Sequence, residues 1–172
     1  MNRKTVLIAG GTGLLGSHLT RVLKVKEASL DVLQHSFSSS GNYKCDLTIA
    51  KEATNFLDRV RPDLIINLVA LTNVDECELN QHEAYKLNAL VVKHLADWCS
   101  QNNNEGLIHV STDHNYDKNQ LNNENDIKVT NVYGLTKLLG EEYARRCNSM
   151  ILRTNFAGKS QVQHRISFSD WF

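Results

Sequence analysis

The feature that most constrains this chain is a glycine-rich turn near its N-terminus, where Gly10, Gly13 and Gly16 follow the spacing Gly-x-x-Gly-x-x-Gly. Residues 5–9 before the turn form a short apolar run typical of a buried parallel strand. Residues 14–26 after it carry apolar side chains at helical spacing. Glycines allow a tight turn and a close approach of the backbone to a phosphate, while the helix N-terminus offers free N–H groups. The pattern predicts a strand–turn–helix unit that holds a dinucleotide; the alternative is a glycine-rich turn without a ligand.

Strand and helix patterns then alternate along the whole chain. A Ser- and Gly-rich loop is predicted at 37–43, a polar loop at 113–130, and Thr48 is predicted to cap the second helix. This alternation predicts an α/β fold, a doubly wound parallel sheet with helices on both faces, of the Rossmann type that binds NAD(P). The predicted strands are 5–9, 30–35, 64–69, 107–112 and 150–153, and the predicted helices are 14–26, 49–60, 81–99 and 133–147.

Composition narrows the function classes. Nineteen Lys and Arg residues balance nineteen Asp and Glu residues, and without a basic block we expect no nucleic-acid partner. No apolar stretch is long enough to predict a membrane span, so we expect a cytoplasmic protein. The four cysteines are scattered without a Cys-x-x-Cys pair and are expected to be free thiols. The histidines show no ligand spacing, and we expect no metal.

The candidate site residues follow the predicted strands. Ligands of doubly wound sheets bind at the carboxyl ends of the strands. Besides the glycine turn, the residues expected at that edge are His35, Ser36, Ala70, Leu71, Thr72, Ser111 and Thr112, with Tyr133 and Lys137 opening the next helix. All of them are predicted to share one edge of the sheet.

Tyr133 and Lys137 have the chemistry needed to reduce a carbonyl. The two stand four residues apart, on one face of a predicted helix. Reduction needs a proton for the carbonyl oxygen, which a phenol can supply once its pKa falls toward the working pH. A cation about 4 Å away contributes on the order of 4 kcal/mol, or roughly three pKa units. We therefore expect Lys137 to lower the pKa of Tyr133, with a hydroxyl of Ser111 or Thr112 holding the substrate oxygen. The alternative is a solvated surface pair.

Six segments together resemble the extended short-chain dehydrogenase/reductases, and among them the dTDP-4-dehydrorhamnose reductase family. They are PDLIIN at 62–67, ALTNVDECE at 70–78, AYKLNA at 84–89, STD at 111–113, NVYGLTKLLGE at 131–141 and ILRT at 151–154. The resemblance implies NAD(P)H-dependent reduction of the 4-keto group of a nucleotide-linked deoxysugar, and it leaves a homodimer open. It implies that Thr112, Tyr133 and Lys137 form the catalytic group. The predicted cofactor-binding set is Gly10, Thr12, Gly13, Leu14, Leu15, Gly16, His35, Ser36, Asp46, Leu47, Ala70, Leu71, Thr72, Asn88, Tyr133 and Lys137.

The end of the second predicted strand bears on the choice of cofactor. An NAD-selective site favours an acidic residue there, bonded to the ribose 2′-hydroxyl. His35, Ser36 and the serines at 38–40 stand in its place. Hydroxyls can bind a 2′-phosphate and no carboxylate repels it, so NADP(H) is favoured and NAD(H) remains an alternative.

Three departures from the family pattern bear on the substrate. The aromatic-rich segment expected after Ser-Thr-Asp is replaced by residues 114–118, and Asn155 and Phe156 stand where a tryptophan is common. The chain is also short for the family, so we expect a dinucleotide-binding domain at 1–158 and the start of a truncated substrate region at 159–172. Two alternatives stay open, which are a non-catalytic NADP-binding regulatory subunit and a nucleotide-sugar epimerase of the same superfamily.

Overall fold

A parallel six-stranded sheet organises the protein. The computed structural model of the 172-residue chain describes residues 3–38, 43–102, 104, 106–116 and 121–155. The strand order is β3-β2-β1-β4-β5-β6, and every pairing is parallel. The order reverses between β1 and β4, which is the switch point where doubly wound sheets bind ligands. The predicted fold class is therefore confirmed. The strands are β1 (Lys4–Ala9), β2 (Leu30–Ser36), β3 (Tyr43–Lys44), β4 (Leu64–Asn67), β5 (Gly106–Thr112) and β6 (Ser149–Thr154).

Helices connect these strands. The helix predicted over 81–99 is interrupted by one π-helical turn at Lys86–Leu90, and a short 3₁₀ turn at Asp113–Asn115 follows β5. A π turn inserts one residue into the helical repeat and is frequent at functional sites. Here it carries Asn88. The α-helices are α1 (Leu14–Lys26), α2 (Ala50–Val60), α3 (Val74–Leu79), α4 (Gln81–Tyr85), α5 (Val91–Gln101) and α6 (Val132–Ala144).

The structure corrects the predicted ends of several elements. Thr48 does not cap α2; its hydroxyl donates to Asp46 Oδ1 at 2.7 Å, and Ile49 occupies the cap position. The predicted loop at 37–43 ends earlier, because Tyr43 begins the edge strand β3. The strand predicted over 64–69 ends at Asn67, whose side chain accepts the backbone N–H of Val69 and so turns the chain.

The hydrophobic core lies between the sheet and its helices. Leu7, Ile65 and Leu107 from three neighbouring strands are fully buried, as are Leu57 of α2 and Leu95 of α5. Each such side chain contributes about 1.5–3 kcal/mol through removal from water. This packing fixes the strand register, and the register brings the carboxyl ends of β1, β2, β4 and β5 to one edge.

Candidate active site at the carboxyl edge of the sheet

The glycine turn between β1 and α1 is shaped by close backbone contacts. Gly10 has a φ of 77°, which favours glycine, and a Cβ there would lie 3.0 Å from the backbone of Leu68. A Cβ on Gly16 would collide with the carbonyl oxygen of Gly10. The N-cap of α1 is Gly13, which makes no side-chain capping bond, and the first turn carries no acidic side chain. The turn thus presents the open N-terminus of α1, a site suited to phosphate.

A cleft of about 810 Å³ lies over this turn. It runs along the ends of β1, β2 and β4 and also reaches Glu83 and Lys86. Leu14, Leu15 and Gly16 begin α1 and are not among the residues that line the cleft. From the predicted cofactor-binding set, the lining residues are Gly10, Thr12, Gly13, His35, Ser36, Asp46, Leu47 and Ala70.

Three hydroxyls cluster at one end of the cleft. Thr12 Oγ1 donates to Ser36 Oγ at 2.9 Å, and Ser38 Oγ lies 3.0 Å from the same atom. Ser36 Oγ also accepts the backbone N–H of Ser38 at 3.1 Å. Residues 39–40 of the predicted serine run lie outside the described part of the chain. The cluster places neutral hydrogen-bonding groups at the end of β2.

His35 supports the glycine turn from below. Its Nδ1 accepts the N–H of Gly10 at 3.5 Å, and its Nε2 lies 3.0 Å from the carbonyl oxygen of Cys45, which assigns the proton to Nε2. Burial lowers the pKa of His35, although the hydrogen bond to Cys45 opposes this shift. The imidazole is therefore neutral, and both of its nitrogens serve the protein backbone.

Asn88 fixes the loop that follows β4. Its Oδ1 accepts the N–H of Leu71 at 2.8 Å, and its Nδ2 donates to the carbonyl of Leu71 at 3.1 Å and to Thr136 Oγ1 at 3.0 Å. This asparagine joins the π turn, the loop after β4 and α6. Thr72 follows in the same loop and is exposed. Asn88 thus acts on the candidate site by holding the backbone of Leu71.

Tyr133 stands at the start of α6, where Asn131 caps the helix by accepting the N–H of Gly134 at 2.7 Å. The tyrosine is 9% exposed, and the side chain of Thr112 at the end of β5 lies close enough to its phenol to oppose the rise of its pKa. The ring of His114 packs edge-on against it, with centroids 5.4 Å apart. The structure therefore brings together two of the three predicted catalytic residues directly.

The pKa of Tyr133 corrects the sequence prediction. Burial raises it, and the Thr112 side chain works in the opposite direction. We expected Lys137 to lower it, but the Lys137 ammonium instead donates to the carbonyl of Val110 at 2.6 Å. Lys137 is 2% exposed, and burial lowers its pKa from 10.5 to about 8, against the attraction of Glu141. In this arrangement the phenol keeps its proton, and Lys137 is the group whose pKa moves toward neutrality.

Ser111 has a different role from the one predicted. Its hydroxyl donates to Glu141 Oε1 at 2.5 Å, so it is committed to the protein interior, while Thr112 remains beside the phenol. Glu141 and its partner Arg153 were missed by sequence reasoning. A signal was present, because Glu141 lies two helical turns after Tyr133 and one after Lys137. A glutamate on a helix is usually exposed, so this spacing alone did not mark it.

Among the described residues, no group of three or more His, Cys, Asp and Glu side chains is placed to hold a metal ion. The described helices are all too short or too polar to cross a membrane. The four cysteines are free thiols.

Comparison with known proteins places this geometry in a family. The sequence model of the family described as the RmlD substrate binding domain matches residues 4–161. The chain belongs to this family. It is 35% identical over 156 residues to a dTDP-4-dehydrorhamnose reductase of Aggregatibacter actinomycetemcomitans, a match covering 88% of this chain and 51% of that protein. The chain thus spans about half the length of this curated relative.

Solved structures of the same family superpose on the chain. A structure described as a hypothetical dTDP-4-dehydrorhamnose reductase from Sulfolobus tokodaii is 37% identical, with a TM-score of 0.79, and the match covers 91% of this chain and 58% of that one. A dTDP-4-dehydrorhamnose reductase from Bacillus anthracis, solved in complex with NADP, has a TM-score of 0.76 over 88% of this chain and 53% of that one. At 23% identity, this second likeness shows the shared fold.

Proposed function

We propose that this chain is the cofactor-binding and proton-donating part of an NADPH-dependent reductase that acts on the 4-keto group of a nucleotide-linked deoxysugar. The observation that carries the proposal is the position of Tyr133. Its phenol lies beside Thr112 at the end of β5, with buried Lys137 one helical turn later. The open glycine turn lies at the same edge of the sheet.

The residues present fit a dinucleotide. Gly10, Gly13 and Gly16 form a cradle that a Cβ would fill, and the uncapped N-terminus of α1 suits the pyrophosphate. The hydroxyls of Thr12 and Ser36 would hold the ribose 2′-phosphate, and no acidic side chain directly follows Ser36 to repel it, so NADP(H) is favoured and NAD(H) is the alternative. Two similar proteins support this assignment. The Aggregatibacter actinomycetemcomitans protein is named a dTDP-4-dehydrorhamnose reductase, and the Bacillus anthracis structure is a complex with NADP.

The protein's part in the reaction follows from its hydrogen bonds. The nicotinamide supplies a hydride to the carbonyl carbon when it is bound. Tyr133 gives its proton to the carbonyl oxygen, and its raised pKa keeps the phenol in the protonated form that can do so. Thr112 lies beside the phenol, where its single hydroxyl proton can be donated to the developing oxyanion. Lys137 places a positive charge behind the site from its anchor on the carbonyl of Val110.

Steady-state turnover of the full-length protein tests the proposal. With dTDP-4-dehydrorhamnose as substrate, NADPH should be consumed in equal amount to the sugar reduced, and NADH should serve less well. A nucleotide sugar that is epimerised with no net consumption of NADPH would instead identify an epimerase. Binding of NADPH without turnover of any 4-keto sugar would identify a regulatory subunit and contradict the proposal.

A further inference from the structure

Glu141 is a carboxylate at the centre of the fold. Its side chain is 0% exposed, on the same face of α6 as Tyr133 and Lys137. Burying an ionised carboxylate costs several kcal/mol unless it is paired and fully hydrogen-bonded. Attraction by Arg153 and hydrogen bonds from Arg153 and Ser111 hold the pKa of Glu141 down, although burial opposes them. The carboxylate is therefore ionised, and its role depends on the groups to which it is hydrogen-bonded.

The partners of Glu141 come from four different segments. Oε1 accepts the hydroxyl of Ser111 at 2.5 Å and the side-chain amide of Asn115 at 3.0 Å. Arg153 of β6 donates to both carboxylate oxygens, at 2.9 Å through Nε and 2.6 Å through Nη2. Arg145 adds a longer contact at 3.4 Å from the surface.

Arg153 extends this network to the long polar loop after β5. Its Nη1 donates to the hydroxyl of Tyr116 at 3.0 Å and to the carbonyl of Glu124 at 2.7 Å. The guanidinium also lies 5.1 Å from the centre of the Tyr116 ring. The Glu141–Arg153 pair thus fastens the loop to the sheet.

Two contacts of Glu141, those with Ser111 and Asn115, lie on either side of the residues next to the phenol. Ser111 immediately precedes Thr112, and Asn115 immediately follows His114. The His114 ring packs edge-on against the ring of Tyr133, and Thr112 lies near the phenol. One carboxylate therefore holds both ends of the segment that packs against Tyr133. Charge-assisted hydrogen bonds of this kind are short and about twice as strong as neutral ones.

Charged and titratable groups surround the site from each packed element. Lys137 of α6 faces Glu141, which supports its positive charge against burial. His109 of β5 also faces Lys137, and its pKa is lowered by burial first and then by Lys137. Asp113 and Cys77 act on the phenol of Tyr133.

We propose that Glu141 is a positioning residue of the tyrosine–lysine site, whose carboxylate holds Ser111 and Asn115 and so fixes the segment 111–115 that packs against Tyr133. The proposal rests on the proposed function, because it assigns Glu141 a role in the same reaction. Glu141 acts through the segment 111–115, whereas Tyr133 is the group that meets the substrate.

Two variants of different severity test this role. Glu141→Gln keeps the shape and removes the charge, and Ser111→Ala removes one tether while leaving the Glu141–Arg153 pair intact. Glu142→Gln is the matched control, since that neighbouring side chain is 60% exposed and pairs only with Arg145 among the described contacts. We expect kcat to fall about 100-fold in Glu141→Gln and about 10-fold in Ser111→Ala, with KM changed less than about twofold.

A second readout separates positioning from the reductase activity itself. The alkaline titration of Tyr133, followed through the ¹³Cζ resonance of labelled tyrosine and assigned with Tyr133→Phe, should give a higher pKa in Ser111→Ala. The sign follows because Thr112 lowers that pKa and would move away from the phenol. Glu141→Gln also removes a negative charge, which works in the opposite direction, so Ser111→Ala is the variant in which the sign is tested. Glu142→Gln should titrate like the wild type.

The outcomes are distinguishable. If Glu141→Gln does not fold, Ser111→Ala still decides through kcat and through the titration. Unchanged kcat in a folded variant, or an unchanged Tyr133 titration in Ser111→Ala, would overturn the positioning role. If the wild-type protein reduces no 4-keto sugar, the proposed function fails, while the Tyr133 titration still confirms or overturns the action of Glu141 on the phenol.

Discussion

The carboxyl edge of the sheet has two halves that are built from different kinds of groups. Around β1, β2 and β3 the edge is formed by glycines, hydroxyls and a helix that begins at Gly13 without a side-chain cap. Around β4, β5 and β6 it is formed by buried charges, and the helix there is capped by Asn131. The first half leaves backbone groups open above a cleft of about 810 Å³. In the second half, hydrogen bonds reach both carboxylate oxygens of Glu141.

The two halves are suited to different tasks, ligand binding in the first and chemistry in the second. An open helix N-terminus has free N–H groups that can be satisfied by a phosphate, so the first half is suited to hold a ligand. A buried charge is tolerated only with fixed partners, so the second half is suited to hold side chains at constant distances. We call the first half the open half and the second the rigid half. Tyr133, the proposed proton donor, belongs to the rigid half.

The largest expected effect is on chemistry in the rigid half. Tyr133→Phe removes the proton donor, and we expect reduction to slow by about 10²–10⁴-fold. The dissociation constant for NADPH, measured by fluorescence titration, should stay close to the wild-type value because Tyr133 is not among the residues that line the cleft. Tyr143→Phe is the control, since the Tyr143 hydroxyl contacts only that of Tyr85 among the described hydrogen bonds. A Tyr133→Phe protein with undiminished turnover would refute the division.

The next effect tests the open half. Gly16→Ala places a Cβ 2.7 Å from Gly11 Cα and against the carbonyl of Gly10. We expect a loss of about 1–3 kcal/mol in the free energy of unfolding, together with weaker NADPH binding. Denaturant unfolding and fluorescence titration measure the two quantities. Gly13→Ala is the comparison, because its Cβ would lie 3.3 Å from Gly10 O and should weaken binding with little loss of stability. Equal stability of the Gly16→Ala and wild-type proteins would show that the turn is not tightly packed.

Burial of the Lys137 charge should lower the free energy of unfolding, and the proposed reduction depends on that charge. Because burial lowers its pKa from 10.5 to about 8, Lys137→Met should stabilise the protein at neutral pH by about 1–3 kcal/mol while impairing reduction. The unfolded chain binds the Lys137 proton more tightly between pH 8 and 10.5. Wild-type stability therefore gains from this group as the pH rises through that interval, and the advantage of the variant should shrink.

Unfolding curves at several pH values measure this effect. Lys93→Met is the control, because its ion pair with Asp97 lies on the surface and should contribute less than about 1 kcal/mol at any pH. An advantage of Lys137→Met that stays constant with pH would contradict the lowered pKa.

The smallest expected effect concerns the cofactor. Ser36→Ala removes the central hydroxyl of the cluster at the end of β2. We expect NADPH to bind about 10-fold more weakly, as for the loss of one hydrogen bond to a charged group. NADH lacks the 2′-phosphate and serves as the internal control with an unchanged dissociation constant. Equal weakening of both cofactors would place the 2′-phosphate elsewhere.

The sequence predicted the open half better than the rigid half. The glycine spacing between an apolar run and a helical run is local, so it predicted the turn at Gly10–Gly16 and the parallel sheet around it. The spacing could not show that the His35 side chain bonds the backbone of Gly10 and Cys45. A histidine that binds a cofactor and one that supports the backbone occur at the same place in the sequence pattern. The cap assigned to Thr48 was wrong for a similar reason, since Asp46 competes for its hydroxyl.

The rigid half depends on contacts between distant residues. Glu141 joins Ser111 and Arg153, which lie 30 and 12 residues away, and no local spacing records such a pairing. The direction in which the pKa of Tyr133 shifts was also predicted wrongly, because the sequence prediction placed the Lys137 ammonium next to the phenol. Lys137 bonds to the carbonyl of Val110 instead, which only the packing of α6 on β5 determines. Residues 159–172, expected to begin a substrate region, lie outside the described part of the chain.

The central claim is that a cofactor held by the open half reaches the phenol of the rigid half. Addition of NADP⁺ to protein labelled with ¹³Cζ-tyrosine tests it most directly, with the Tyr133 resonance followed alongside a fluorescence titration. We predict that the Tyr133 resonance moves with the same midpoint as the binding curve, and that the move is weakened in Gly16→Ala. Saturation with NADP⁺ that leaves Tyr133 unmoved would contradict the account.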